Sequence, residues 1–103
     1  IAGIAHAGSD TGPGVYKEIA PAFGTKVIAE RYRGGELAVL ELTGDGDTDL
    51  DIYVYDAAGR LVAFGVGRTD RERVTFTPPA TGNYTIVVVN LRGVFNRFQL
   101  RTN

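Results

Sequence analysis

The stretch that decides the fold comprises residues 44–56, with the sequence GDGDTDLDIYVYD. Its first half is typical of a loop, because Gly, Asp and Thr favour turns. In its second half, apolar and polar residues alternate from Leu50 to Tyr55, which predicts a β-strand with one face in a core. An acidic loop that leads into a half-buried strand indicates a cation site, an interaction surface or a solvated turn. It does not indicate a catalytic centre.

The rest of the chain consists of short alternating segments separated by turn residues. Besides 50–56, the strand candidates are residues 26–32, 36–43, 60–66, 74–77, 82–90 and 95–101. Gly34-Gly35 predicts a hairpin between the first two of these, and residues 57–59 predict a second hairpin after 50–56. The pattern predicts an all-β fold, namely an antiparallel, jelly-roll-like β-sandwich of about seven to eight strands.

Length and local composition suggest the domain organisation. A chain of 103 residues is expected to form one domain. Residues 1–24 are predicted to be an N-terminal arm or linker, in which residues 15–24 could add an edge strand or a short helical turn. Residues 1–12, rich in Gly and Ala, are expected to be the most weakly packed segment. Residues 25–103 are predicted to form the sandwich.

One hydrophobic core is predicted from the inward positions of the alternating strands, because side chains two residues apart share a face. The predicted core residues are Leu50, Ile52, Val54, Val74, Phe76, Tyr84, Ile86, Val88, Phe98 and Leu100.

Composition excludes several function classes. The absence of Cys rules out disulfides, thiolate catalysis and Cys-ligated zinc. No apolar run approaches the ~20 residues of a membrane-spanning helix, so no membrane span is expected. His6 and Ser9 lie in the loose N-terminal segment, where a Ser-His-acid triad would lack rigid positioning. We therefore expect that the protein is not an enzyme.

The net charge of −1 conceals an uneven distribution of charge. Residues 1–56 hold ten acidic and four basic residues, a net charge of −6, whereas residues 57–103 hold two acidic residues and seven Arg, a net charge of +5. In a sandwich the two halves interleave, so pairing of opposite charges between them is the expected outcome. The overall balance argues against nucleic-acid binding.

Four of these arginines cluster near one predicted hairpin end: Arg60, Arg68, Arg71 and Arg73. Such a cluster could contact a phosphate, a glycan sulfate or an acidic partner. Asp70 and Glu72 lie among the arginines and dilute the positive charge, so a solvated loop is the favoured interpretation.

The acidic loop is the candidate metal site. Asp45, Asp47 and Asp49 present clustered carboxylates, which suit a hard cation such as Ca²⁺. Their spacing matches the start of an EF-hand loop, but Leu50 occupies the position that requires Gly, and an EF-hand is therefore excluded. A Ca²⁺ site completed by backbone carbonyls remains one interpretation. The other is an Asp-rich turn whose side chains bond to local N–H groups.

A candidate ligand-binding surface lies on the polar side of the 50–55 strand. Tyr53 and Tyr55, with Asp51 beside them, should project away from the core and form an exposed, flat platform. Such platforms suit sugars, extended peptides or collagen-like polymers. The alternative is that the tyrosines pack with cross-strand neighbours or are covered by the N-terminal arm.

The order of the segments resembles that of a known family. GDGDTDLDIYVYD is followed by AGRLVA at 58–63, VTFTPPATGNYTIVVVN at 74–90 and FNRFQL at 95–100. This succession resembles the bacterial pre-peptidase C-terminal domains and, more distantly, the collagen-binding domains of clostridial collagenases.

The resemblance implies a non-catalytic accessory module of an exported bacterial protein, and hence a secreted or cell-surface location. Its partners would be the other domains of the parent chain and an extracellular polymer or protein bound at the tyrosines. The alternative is a structural spacer, or a folding and secretion aid, without its own ligand. Some relatives bind calcium, but the collagen-binding ones take much of the coordination from an acidic N-terminal segment. This chain offers only Asp10 and Glu18 there.

Overall fold

The computed structural model describes residues 8–103, and all regular structure in this part of the chain is β-strand. The eight strands are β1 Gly14–Ala20, β2 Thr25–Tyr32, β3 Ala38–Thr43, β4 Leu50–Tyr55, β5 Leu61–Gly65, β6 Arg71–Phe76, β7 Gly82–Asn90 and β8 Asn96–Thr102. A search of the described residues for a helix with the length and apolar character to cross a membrane finds none.

The strands form two antiparallel four-stranded sheets. Sheet A has the order β2-β7-β4-β5, and sheet B has the order β1-β8-β3-β6. Only the β4–β5 connection stays within one sheet, so every other connection crosses between the sheets. This strand order is that of a jelly roll, and the predicted fold class is confirmed.

One of the two predicted hairpins is present. In the turn between β4 and β5, the Asp56 N–H donates to the Arg60 carbonyl at 2.9 Å. Gly59 in this turn has a φ of 81°, a conformation that favours glycine. The predicted hairpin between β2 and β3 is wrong, because these strands lie in different sheets. Gly34 instead permits close packing of loops, since a Cβ there would lie 2.6 Å from the Ala80 Cα.

The core lies between the sheets, and all ten predicted core residues are buried. β2 and β3 complete it with side chains that include Ile28, Leu40 and Leu42. The predicted inward face of each strand is therefore correct, since a shift by one residue would have exposed all of these side chains.

An aromatic cluster closes one end of the core. Tyr32 is fully buried, and its ring centroid lies 5.2 Å from that of Phe76 and 5.8 Å from that of Tyr84, both in edge-on geometry. The Tyr32 and Thr102 hydroxyls are hydrogen-bonded at 2.8 Å. Burial raises the pKa of Tyr32 well above its ordinary value, so its hydroxyl stays neutral and able to bond.

The segment before residue 25 contributes to the sandwich. β1 is the edge strand of sheet B and pairs with β8 along its whole length, from Gly14 opposite Thr102 to Ala20 opposite Asn96. Of the two interpretations of residues 15–24, the structure therefore shows the edge strand. The sheet begins before the predicted start of the sandwich domain at residue 25.

Residues 8–10 are also packed against the domain. Gly8 and Ser9 are buried, and the Ser9 N–H donates to the Asn103 carbonyl at 2.9 Å. The Gly8 carbonyl accepts from the Arg33 N–H at 2.8 Å. The prediction of weak packing is wrong for these residues, because their backbone groups bond to neighbouring chain segments. Residues 1–7 of the predicted segment lie outside the described residues.

A side-chain hydrogen bond joins the two sheets at their β1–β2 edge. The Tyr16 hydroxyl on β1 donates to Glu30 Oε2 on β2 at 2.8 Å. Burial, followed by this hydrogen bond and the charge of Glu30, raises the pKa of Tyr16 to about 12. The neutral tyrosine is therefore the form that the fold stabilises.

We expect Tyr16→Phe to lower the free energy of unfolding by about 1 kcal/mol at neutral pH, because the inter-sheet hydrogen bond is lost. This contribution is complete below pH 10 and vanishes as the pH rises towards 12, since the tyrosine of the unfolded chain ionises first. Urea denaturation of both proteins across this range measures the difference. Tyr55→Phe serves as the control, and equal losses in the two variants would contradict the prediction.

Candidate functional site

Three inter-sheet connections meet at the end of the sandwich opposite the aromatic cluster. They are the β3–β4 loop at 44–49, the β5–β6 loop at 66–70 and the β7–β8 loop at 91–95. The side chains of Asp70 and Asn96 lie at their meeting point and are 6% and 0% exposed. The acidic loop is thus part of a junction of three chain segments.

A hydrogen-bond network holds this junction together, and we call it the loop-end network. Asp70 Oδ2 accepts from the Gly46 N–H at 2.6 Å and from Asn96 Nδ2 at 2.9 Å. Asn96 Oδ1 accepts from the Asp45 N–H at 3.1 Å, and Asn96 Nδ2 also donates to Thr48 Oγ1 at 2.9 Å. Two buried side chains therefore satisfy the polar groups of the acidic loop.

The predicted metal ligands do not converge. The two Asp45 oxygens accept the N–H groups of Asp47 at 3.2 Å and Arg97 at 2.8 Å. Asp47 is exposed, whereas Asp49 is buried. Across residues 8–103, no group of three His, Cys, Asp or Glu side chains could hold a metal ion. At Asp45, the structure shows the Asp-rich turn that bonds to local N–H groups.

A different pair of carboxylates is buried beside the loop. Asp49 and Asp51 are 8% and 7% exposed, and the Oδ1 atom of each is buried without a hydrogen-bond partner among the described residues. Burial raises the pKa of Asp51, and the charge of Asp49 raises it further. A buried carboxylate without a partner is costly in its charged form, which is consistent with the raised pKa of Asp51.

Asp51 is therefore not the exposed companion of the tyrosines that the sequence predicts. β4 is an inner strand of sheet A, and Asp51 lies opposite Val89 on β7. On the other side, the Leu50 N–H donates to the Thr69 carbonyl at 3.2 Å, which brings the β5–β6 loop alongside the start of β4. In this position Asp51 is only 7% exposed.

Tyr53 and Tyr55 lie on the outer surface of sheet A, as predicted, but both are half-buried rather than fully exposed. Strand register places Val87 of β7 and Phe64 of β5 on either side of Tyr53. Burial raises the pKa of Tyr53, with further contributions from the charge of Asp51 and from Tyr55. The hydroxyl is therefore neutral at physiological pH.

The two tyrosines belong to a larger apolar surface. Strand register places Val27, Val87, Tyr53 and Phe64 side by side, one from each strand of sheet A. Three strand spacings make this row about 14 Å long. Val27 and Phe64, at its two ends, are each 58% exposed. We call this row, together with Tyr55, the tyrosine face.

The apolar surface continues onto the neighbouring edge. On β5, Leu61 and Val62 are 48% and 39% exposed. A groove of about 380 Å³ between β5 and β6 is lined in part by Val62, Phe64 and Arg73. β5 is an edge strand, so its outer backbone groups are not covered by another strand of sheet A.

Sequence reasoning identified the tyrosines but missed their neighbours. Val27, Val87 and Phe64 lie in three separate strand candidates, and only the cross-strand register shows that they share a row. Asp70 and Asn96 were missed as the partners of the acidic loop, because they lie 24 and 51 residues from the loop atoms that they bind.

Residues 33–90 match the family model of the bacterial pre-peptidase C-terminal domain. The match covers more than half of the chain, which therefore belongs to this family. The resemblance seen in the sequence is confirmed. A search of curated proteins finds no match.

Solved structures support the same fold. The pre-peptidase C-terminal domain of a Bacillus anthracis collagenase superposes with a TM-score of 0.72 at 12% identity, and the match covers 87% of this chain and 88% of that one. PliG of Aeromonas hydrophila, a periplasmic inhibitor of g-type lysozyme, gives a TM-score of 0.68 at 15% identity, with 88% and 84% covered. At such identities, the likeness establishes the fold alone.

We expect Asn96→Ala to destabilise the protein by about 2 kcal/mol, because it leaves the buried Asp70 carboxylate and the Asp45 N–H each short of a partner. Asn83→Ala is the matched control. It removes the same side chain from an exposed position and should cost less than about 0.5 kcal/mol. Urea denaturation measures both, and a similar small change in the two variants would show that the network contributes little.

Proposed function

We propose that this chain is a non-catalytic accessory module of an exported bacterial protein and that its tyrosine face binds an extended polypeptide or protein surface. The observation that carries the proposal is the continuous row of Val27, Val87, Tyr53 and Phe64 across all four strands of sheet A. Single exposed apolar residues are ordinary, whereas a contiguous apolar patch is typical of an interaction site.

The chemistry of the row favours a polypeptide over a sugar. A sugar site pairs an aromatic platform with polar groups that orient the hydroxyls. Three of the four residues in the row are aliphatic or Phe, and the carboxylate nearest the tyrosines, Asp51, is buried. A flat apolar strip with tyrosine hydroxyls suits apolar side chains and backbone carbonyls of an extended chain.

The accessory role and the location rest on family membership. The family is that of pre-peptidase C-terminal domains, and one structural relative is such a domain of a collagenase. The second relative is described as periplasmic. These relationships support an extracellular or periplasmic location and a place beside other domains of a larger chain.

Binding tests separate this function from that of a ligand-free spacer. We expect the protein to bind a triple-helical collagen-like peptide or gelatin, measured by calorimetry, more tightly than a cellulose oligosaccharide. Val27→Thr/Phe64→Thr should weaken binding roughly tenfold, because truncation of an interface anchor commonly costs 1 kcal/mol or more. Both residues are 58% exposed, so the fold should tolerate the change.

The matched control is Val15→Thr/Ile19→Thr. These apolar residues are 49% and 46% exposed on the outer surface of sheet B. The control variant should bind like the wild type. An equal loss in both variants, or no binding of the wild type to either polypeptide, would contradict a role for the tyrosine face and leave the spacer function.

The spacer alternative, with stabilisation by calcium, also has an observation in its favour. Asp49 and Asp51 each bury an oxygen that has no partner among the described residues. Ca²⁺ would neutralise this pair, with backbone carbonyls and water supplying the other oxygens that it needs. The proposed ligands are thus Asp49 and Asp51, whereas the sequence predicted Asp45, Asp47 and Asp49.

If calcium binds this pair, millimolar Ca²⁺ should raise the Tm of the wild type, since a ligand at ~100 times its Kd stabilises the folded state by about 2.7 kcal/mol. The rise should vanish in Asp49→Asn/Asp51→Asn and persist in the control Asp47→Asn. In EDTA, the double variant should be at least as stable as the wild type, because two buried charges are removed. An unchanged wild-type Tm on addition of Ca²⁺ would refute the cation site.

A further inference from the structure

The outer surface of sheet B carries a concentration of positive charge. Alternation along β1, β3, β6 and β8 directs every second side chain away from the core. Among these outward side chains, Glu41 is the only acidic one. Five outward side chains are basic, and we call this surface the basic face: Lys17, Arg71, Arg73, Arg97 and Arg101.

The expected pairing of charges between the two halves of the chain does not occur on this surface. Within residues 8–103, the ion pairs involve Lys26, Arg31, Arg33 and Arg60, and none involves a cation of the basic face. Glu41 lies opposite both Arg73 and Arg101 in the strand register but is not within ion-pair distance of either. The five cations therefore remain available to an external anion.

Strand register spreads the charges over an area rather than concentrating them at a point. Lys17 and Arg71 lie at the two ends of one row, three strand spacings or about 14 Å apart. Arg97 and Arg101 lie on β8, four residues or about 13 Å apart. This arrangement matches a ligand with repeated negative charges better than a single phosphate.

Uncharged polar groups lie between the cations. Gln99 and Thr43 occupy the row between Lys17 and Arg71. A shallow groove of about 550 Å³ is lined by residues that include Lys17, Thr43, Arg97 and Gln99. Glu18 also lines this groove, and its carboxylate is paired with Lys26 at 3.1 Å. The Arg97 guanidinium lies 5.5 Å from the ring centroid of Phe95, a contact that orients it.

We propose that the basic face binds a polysaccharide with repeated carboxylate or sulfate groups. The cations would pair with the acidic groups, and Gln99 and Thr43 would bond to the hydroxyls between them. None of the outward side chains of the four strands is aromatic, and the Phe95 ring is already in contact with Arg97, so the face lacks the series of stacking rings that a single-stranded nucleic-acid site uses. This site is on the sheet opposite the tyrosine face and does not depend on its function.

Binding is tested by calorimetry at low ionic strength with heparin as the sulfated polymer, alginate as the carboxylated polymer, dextran as the neutral polymer and duplex DNA. The wild type should bind heparin or alginate and not dextran. The ratio of the two affinities identifies the preferred acidic group. Added salt should weaken binding, because exposed charges are screened.

The decisive variant is Lys17→Gln/Arg97→Gln, which should weaken polysaccharide binding roughly tenfold, because two ion pairs are lost. Arg68→Gln/Arg92→Gln is the matched control, since it removes the same net charge from two exposed loop positions. It should change the affinity by less than about twofold. Circular dichroism checks the folding, and Arg71→Gln/Arg73→Gln at the other edge of the face is the substitute if the first variant does not fold.

Three results would overturn the proposal. An equal loss in the control variant would show that only net charge matters. Tighter binding to DNA than to both acidic polysaccharides would indicate a nucleic-acid surface. Absence of binding to heparin and to alginate at low ionic strength would leave the basic face as solvated charge.

Discussion

The structure depends on satisfying the backbone where the chain crosses between the two sheets. A jelly roll has many such crossings, and each leaves N–H and C=O groups outside the strand ladders. At the acidic end, Asp70 at the end of the β5–β6 loop and Asn96 at the start of β8 bond to each other and to polar groups of the β3–β4 loop, at distances of 2.6–3.1 Å. This network also explains the glycine at position 44, because a Cβ at Gly44 would overlap the Asp70 carboxylate.

Different interactions stabilise the two ends of the sandwich. Hydrogen bonds to buried polar side chains hold the acidic end, whereas packed rings of Tyr32, Phe76 and Tyr84 fill the other. With the ends and the core supplying stability, the outer surfaces of the sheets contribute less to the fold and can differ in chemistry. One is apolar and the other is basic, so a small module can present two unlike surfaces to two kinds of partner.

The acidic stretch contains two kinds of carboxylate, and their environments decide what each can do. Each oxygen of Asp45 accepts a backbone N–H group, which gives this residue a structural role. Asp49 and Asp51, two positions apart on the same side of the chain, are desolvated and lack partners for one oxygen each. Asp51 carries a raised pKa as a result. The unfavourable burial of charge is therefore concentrated at the start of β4 rather than at the tip of the 44–49 loop.

The sequence by itself determined the sandwich, the β4–β5 hairpin and the core, because alternation with a period of two and turn residues are local signals. It also located the tyrosines on the outer side of their strand. The tertiary structure decided which strands are neighbours. Tyr53 therefore joins Val27 and Phe64 in a row, and four arginines of the second half share sheet B: Arg71, Arg73, Arg97 and Arg101. The tertiary structure also decided the burial of Asp51 and the partners of the acidic loop. These features depend on pairing between distant segments, which the local pattern of residues does not encode.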